Sequence, residues 1–91
     1  MGVQWVFAPV ADVNNNPDNP VINLRSFSEN PQAVADHVKA YIEGARSDPA
    51  NRVLVTVKHF PGHGDTLKDS HLDLPSLPHA MERLEAVELV P

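Results

Sequence analysis

The residues best suited to chemistry lie in one segment, residues 58–71, which reads Lys-His-Phe-Pro-Gly-His-Gly-Asp-Thr-Leu-Lys-Asp-Ser-His. It holds three of the five histidines of the chain. Imidazole titrates near neutral pH, so a histidine can donate a proton and accept it back within one reaction cycle. A carboxylate beside the ring fixes its tautomer and stabilises its protonated form. Asp69 and His71 are two residues apart and could meet in this way, although their spacing alone is equally that of ordinary polar residues in a surface loop.

A metal site is the alternative chemistry for the same segment. Several of its side chains are of the types that ligate Zn²⁺ or a similar ion: His59, His63, Asp65, Asp69 and His71. His59 and His63 are four residues apart, as in helical zinc motifs, but Pro61 and Gly62 between them prevent a shared helix face. We expect neither a metal nor a cofactor, and a metal-binding His/Asp loop stays open as an alternative.

Two short apolar runs must position this segment. Residues 3–8 and 53–57 are rich in β-branched and aromatic types, which predicts two strands that are buried on both faces. A helical pattern lies between them, and a helix between two such strands is the crossover of a parallel sheet. The fold class is therefore α/β. The segment 58–71 follows the carboxyl end of the second strand, where ligands bind in parallel α/β folds.

Proline and asparagine mark the helix boundaries. Asn30 as N-cap and Pro31 at the first helical position predict where the first helix begins. Asp48-Pro49 predicts its end, and Pro78 predicts the start of a last helix. The apolar residues of the first helix recur at helical spacing and predict its buried face: Val34, Val38, Tyr41, Ile42 and Ala45.

Composition excludes several classes of protein. The chain has 91 residues, no cysteine and a formal net charge of −5. Thiolate chemistry and disulfides are excluded, and the negative charge argues against nucleic acid as a partner. No apolar stretch is long enough for a membrane span, and no signal peptide opens the chain. Localisation stays open between cytoplasmic and secreted.

The two strands raise a problem of burial. Two parallel strands alone do not form a sheet that covers both of its faces, although both runs are apolar on both sides. The pattern therefore indicates a piece of a larger α/β protein. Open sheet edges would invite association, so we expect the isolated chain to fold poorly.

The segment resembles a known signature. Residues 58–66, 69–71 and 74–75 resemble the signature of glycoside hydrolase family 3, in particular its β-N-acetylglucosaminidase (β-N-acetylhexosaminidase) branch. Residues 7–13 resemble the preceding strand of that family, and residues 25–28 followed by 30–31 resemble its arginine loop. The resemblance thus covers nearly the whole chain.

The resemblance implies a fold and an activity. The catalytic domain of that family is a (β/α)₈ TIM barrel of about 250 residues. Residues 1–91 would then be a fragment of a single N-terminal catalytic barrel domain, with about two of its eight β-α units. The implied reaction is hydrolysis of O-glycosyl bonds, which removes terminal β-linked N-acetylglucosamine by a retaining mechanism through a glycosyl-enzyme intermediate. The substrate expected within the branch is a peptidoglycan-derived fragment.

The resemblance also assigns roles to residues. His71 would be the catalytic acid/base and Asp69 would orient it. Lys58, His59 and Arg25 would bind the hydroxyls and the 2-acetamido region of the carbohydrate substrate. No aspartate here has the sequence context of the family's nucleophile, so we expect the chain to be inactive alone and to need the rest of the barrel. A non-catalytic sugar-binding or split fragment is the other alternative.

The remaining polar residues are expected to have structural roles. His63 and Asp65 should hold the segment together through hydrogen bonds to the backbone. Asp12, which follows the first strand, should have a structural role or should contact the residues that bind the substrate. His37 and His79, near the first and last helices, are expected to have no special role.

Overall fold

The computed structural model describes residues 2–91 as a small α/β unit with short regular elements. Their order along the chain is strand, 3₁₀ helix, helix, strand, helix. Their bounds are Trp5–Val6 (β1), Asn23–Arg25 (the 3₁₀ helix), Pro31–Ala45 (α1), Leu54–Val55 (β2) and Met81–Ala86 (α2). Among the described residues, no helix has both the length and the apolar character that crossing a membrane requires.

The two strands are parallel and α1 connects them, as predicted. Trp5 lies opposite Leu54, and Val6 lies opposite Val55. The pairing resumes beyond the strands, where the backbone N–H of Ala11 donates to the carbonyl of Lys58 at 2.6 Å. The regular strands are shorter than the predicted runs 3–8 and 53–57. The resumed contact nevertheless places the start of segment 58–71 beside the chain that follows β1.

The predicted burial of both strand faces is wrong for this chain. Trp5 is 59% exposed, and Phe7 and Leu54 are each 65% exposed. Within residues 2–91 each strand pairs only with the other, so each strand also has an unpaired edge. The Trp5 indole N–H donates to the hydroxyl of Thr56 at 2.7 Å, and this bond stays close to solvent. Apolar strand residues are thus left uncovered.

Helix α1 begins as the sequence predicts. The side-chain oxygen of Asn30 accepts a hydrogen bond from the backbone N–H of Ala33 at 3.0 Å, and Pro31 follows at the first helical position. This cap satisfies one of the N–H groups that a helix start leaves without an intrahelical partner. The helix ends at Ala45, before the predicted stop at Asp48.

The apolar core lies between α1 and the chain after β1. Val13, Val34 and Val38 are buried there at 3% exposure or less. Ile42 and Val87 pack against this cluster and are half-buried. The predicted face is therefore largely confirmed. Its exception is Tyr41, 39% exposed, which lies at the margin of the apolar stripe.

Helix α2 begins later than the predicted start at Pro78. Its first residue is Met81, and Ala80 before it is extended, with φ −67° and ψ 157°. The ring of His79 contacts Asp65 in the preceding loop at 2.7 Å. That contact holds residue 79 to the loop, and the helix starts only beyond it.

The Asn30 cap leads to a test of the helix start. In a peptide of residues 28–47, Asn30→Ala should lower the helix content measured by circular dichroism, because an N-cap loss costs about 0.5–2 kcal/mol. Asn30→Asp is the matched control, since aspartate caps about as well as asparagine. Equal helix content in all three peptides would show that the cap does not define this start.

Candidate active site

The buried carboxylate of Asp12 organises the beginning of the site. Asp12 is 1% exposed. One of its oxygens lies 2.7 Å from Nδ1 of His59, and the other accepts the backbone N–H of His63 at 2.6 Å. With a carboxylate as partner, Nδ1 of His59 is the donor, which leaves Nε2 of that ring for a ligand. The expected supporting role of Asp12 agrees with these contacts.

A second buried residue, Asn19, makes hydrogen bonds to the backbone of the loop that contains His63. Its side-chain amide donates to the carbonyl oxygens of His63 at 2.6 Å, Gly64 at 3.1 Å and Thr66 at 3.0 Å. Its oxygen accepts the backbone N–H of Ile22 at 2.7 Å. The sequence analysis missed Asn19. The one available signal was the asparagine- and proline-rich stretch around it, which indicates a turn without indicating its partner.

The loop also passes very close to the backbone after β1. A Cβ atom built at Gly64 would lie 1.7 Å from the carbonyl oxygen of Val13, so only glycine fits there. The His63 ring turns inward, and its Nδ1 contacts the hydroxyl of Thr66. Its Nε2 is buried without a partner among the described residues. The His63 ring is therefore part of the loop's internal packing, through a side-chain contact to Thr66 and not through the expected hydrogen bond to the backbone.

Asp69 and His71 form the predicted pair. Nδ1 of His71 lies 2.7 Å from the Asp69 carboxylate, and the same oxygen accepts the backbone N–H of His71 at 2.9 Å. The His71 side chain is 78% exposed. Its Nε2 makes no hydrogen bond within residues 2–91, so this atom is available to a substrate.

The two hydrogen bonds also set the titration of Asp69. The backbone N–H of His71, and after it the His71 ring, hold the pKa of Asp69 below its ordinary value of 3.8. A lowered pKa means that the folded chain favours the ionised carboxylate. The pair therefore persists at neutral pH, and it is lost only as the pH falls through that lowered pKa.

The other predicted substrate residues have contacts of their own, separate from this pair. Lys58 is half-buried where the strand pairing ends. Arg25 is exposed in the 3₁₀ helix, where its guanidinium donates to the carbonyl of Val21 at 3.3 Å, and it forms no ion pair within residues 2–91. No hydrogen bond or ion pair in the described chain joins His71 to Lys58, His59 or Arg25.

The five residues of the alternative metal site are not brought together as one ligand group in the described chain. In the described part of the chain, the group that could hold an ion consists of Asp65, His79 and Glu88, with ligand atoms within 4.8 Å of one another. Arg83 already donates to both oxygens of Glu88 at 2.6 and 2.8 Å. Asp65, His79, Arg83 and Glu88 thus form a network of ion pairs, which we call the neck cluster. His79, which was expected to have no special role, lies 2.7 Å from Asp65 and belongs to this network.

Comparison with known proteins decides the family. The family model described as the glycosyl hydrolase family 3 N terminal domain matches residues 1–91. The chain belongs to glycosyl hydrolase family 3. This confirms the family that the motif of residues 58–75 indicated.

Relatives of this family 3 chain are close. It is 47% identical over 91 residues to the protein named beta-hexosaminidase A of Pseudoalteromonas piscicida. The structure of a family 3 β-N-acetylglucosaminidase from Paenibacillus sp. str. FPU-7 matches with a TM-score of 0.85 and 49% identity over 98% of this chain. NagZ from Neisseria gonorrhoeae in complex with N-trifluoroacetyl-D-glucosamine matches with a TM-score of 0.83 and 39% identity over 97% of this chain. The family 3 chain spans 15%, 16% and 25% of these proteins, respectively.

Proposed function

We propose that the chain is part of a retaining β-N-acetylhexosaminidase. In this proposal residues 1–91 supply about two β-α units of one N-terminal (β/α)₈ barrel, and further strands cover the faces on which Trp5 and Leu54 are exposed. Its support is the family and the high identity to a protein named beta-hexosaminidase A. The substrate class is a β-linked N-acetylglucosaminide, with peptidoglycan-derived fragments as the natural source.

The observation that carries the proposal is the contact between Asp69 and His71. The carboxylate lies against Nδ1, so Nε2 faces outward on a largely exposed ring. In the first step His71 donates the Nε2 proton to the leaving oxygen while a nucleophile attacks the anomeric carbon. In the second step the same nitrogen takes a proton from water, which then releases the sugar. Asp69 holds the tautomer and stabilises the protonated ring.

The remaining substrate contacts follow from the donors near the strand ends. Nε2 of His59, the ammonium of Lys58 and the guanidinium of Arg25 suit the hydroxyls and the acetamido oxygen of the sugar. The Neisseria protein was solved with an N-acylated glucosamine, which supports this sugar class for the present chain. Asp12 is buried and engaged by His59 and His63, so it is not placed to attack a substrate. No other aspartate here has the sequence context of the family's nucleophile, and in this proposal the nucleophile comes from the rest of the barrel. The 91-residue chain alone is therefore inactive in this proposal.

An assay of the full-length protein that carries these residues tests the proposal. It should hydrolyse 4-nitrophenyl N-acetyl-β-glucosaminide with a kcat/KM about 100-fold or more above that for the matching β-glucoside, because a site that hydrogen-bonds the acetamido group rejects an analogue without it. Nuclear magnetic resonance should show the β-anomer of the released sugar first, as retention requires. The 91-residue chain alone is the control. Release of the α-anomer first, or a preference for the glucoside, would contradict the proposal.

A further inference from the structure

The Asp69–His71 pair lies in a loop, residues 67–78, that makes no hydrogen bond to the rest of the described chain between its two ends. Every hydrogen bond of residues 67–78 within the described chain has both partners inside the loop. Three of its leucines are largely exposed, Leu67 at 75%, Leu72 at 85% and Leu74 at 86%, whereas Pro75 and Leu77, closer to the second end, are half-buried. The position of His71 therefore depends on how the two ends are held.

The two ends are held by different means. At the first end, Thr66 is buried and its carbonyl accepts the side-chain amide of Asn19 at 3.0 Å. At the second end, Nε2 of His79 lies 2.7 Å from the carboxylate of Asp65. This contact joins residues on opposite sides of the loop, 14 positions apart. It closes the neck of the loop that carries His71.

The neck cluster connects the Asp65–His79 contact to helix α2 and to Glu88. Arg83 of α2 lies 3.6 Å from Asp65 and 2.6 Å from Glu88. The Glu88 side chain is 3% exposed, and its Cγ would lie 2.9 Å from a Cβ atom placed on Gly62. The Asp65–His79 contact is thus tied to α2 and to the loop segment that follows His59.

We propose that Asp65 and His79 are positioning residues for the acid/base His71. Their contact fixes the position of the second end of the loop. The position of the His71 ring relative to the scissile bond depends on that end. The inference rests on the proposed function of His71. A displacement of about 1 Å at a reacting group can cost about 100-fold in rate, so a contact at the neck can control proton donation without touching the substrate.

The test compares variants of the full-length protein on two N-acetyl-β-glucosaminides. One has a phenyl leaving group, which needs protonation, and the other a 2,4-dinitrophenyl group, which needs almost none. His79→Ala and Asp65→Asn should each lower kcat about 10- to 100-fold for the phenyl substrate, with a change of less than about threefold for the other and in KM. His79→Gln should recover part of the loss, because its amide N–H can donate to Asp65.

Two further variants make the result decisive. His37→Ala removes a surface histidine that stacks on Phe27 at 5.1 Å, far along the chain from the neck, and should change neither rate. In a His71→Ala background, His79→Ala should cause no further loss on the phenyl substrate, because residues that act through one another are not additive.

Each outcome is informative. The positioning role is overturned if His79→Ala lowers kcat equally on the two substrates, or if its loss adds to that of His71→Ala in the double variant. A lower melting temperature of the variants does not change this conclusion. Those results leave the proposed function intact as long as His71→Ala alone discriminates between the substrates. If His71→Ala does not discriminate, the proposed function fails, and the positioning role fails with it.

Discussion

Replacing His71 with alanine in the full-length protein should lower kcat/KM for phenyl N-acetyl-β-glucosaminide by about 10²–10⁴-fold, the usual contribution of a general acid. The 2,4-dinitrophenyl substrate should lose far less, because its leaving group departs without a proton. The physical basis is the exposed Nε2 of His71, while Nδ1 stays on Asp69 at 2.7 Å. Steady-state rates on the two substrates measure the difference.

Two aspartates of the same loop provide a matched comparison. Asp69 and Asp73 both have a pKa below its ordinary value, Asp69 through hydrogen bonds from His71 and Asp73 mainly through the side chain of Lys68. Asp69→Asn should reproduce part of the His71→Ala loss on the phenyl substrate, whereas Asp73→Asn should leave both rates unchanged. Equal losses on both substrates for His71→Ala would remove His71 from the acid/base role.

Replacing Gly64 with alanine should destabilise the full-length protein by about 3 kcal/mol or more, at or above the upper end of the roughly 1–3 kcal/mol that overpacking typically costs. The new Cβ would lie 1.7 Å from the carbonyl oxygen of Val13 and 2.6 Å from its carbonyl carbon. These are backbone atoms, so no side-chain rotation relieves the overlap. The loop must move away from Val13, which breaks the contact between Asp12 and the N–H of His63.

Gly44 supplies the control for this substitution. It lies in α1, and a Cβ atom placed on it meets nothing within 4 Å. Gly44→Ala should therefore preserve stability or raise it by about 0.5–1 kcal/mol, the helix preference of alanine over glycine. Melting temperature and soluble yield compare the two variants. A Gly64→Ala protein as stable as Gly44→Ala would show that the close approach to Val13 does not constrain the loop.

Local features of this protein were predictable because their causes are local. The cap of α1 needs only Asn30, Pro31 and the N–H of Ala33, which lie within four residues. The Asp69–His71 contact joins side chains two positions apart, but their spacing is also common in ordinary surface loops, and it was the surrounding motif that indicated the pair. The long motif of residues 58–75 indicated the family for the same reason, since its residue types can be read without any knowledge of the fold.

Long-range contacts were not predictable in this way. Asp12 and His59 are 47 positions apart, Asn19 and His63 are 44 apart, and Asp65 and His79 are 14 apart. Each pairing depends on where the chain returns after a helix or a loop. The sequence analysis expected structural roles for Asp12 and His63 but did not identify the residues that they contact. It missed the contacts of Asn19 and His79 altogether.

The sequence by itself thus determined the residue types that can act as acid and base, the start of α1 and the parallel order of the two strands. Only the tertiary structure decided which contacts position the residues of the site. It placed Asp12 against His59, required glycine at position 64 beside Val13, and closed the neck of the loop with Asp65 and His79. The reason is that hydrogen bonds and steric exclusion act over a few ångströms in space, and distance along the chain does not specify which groups come that close.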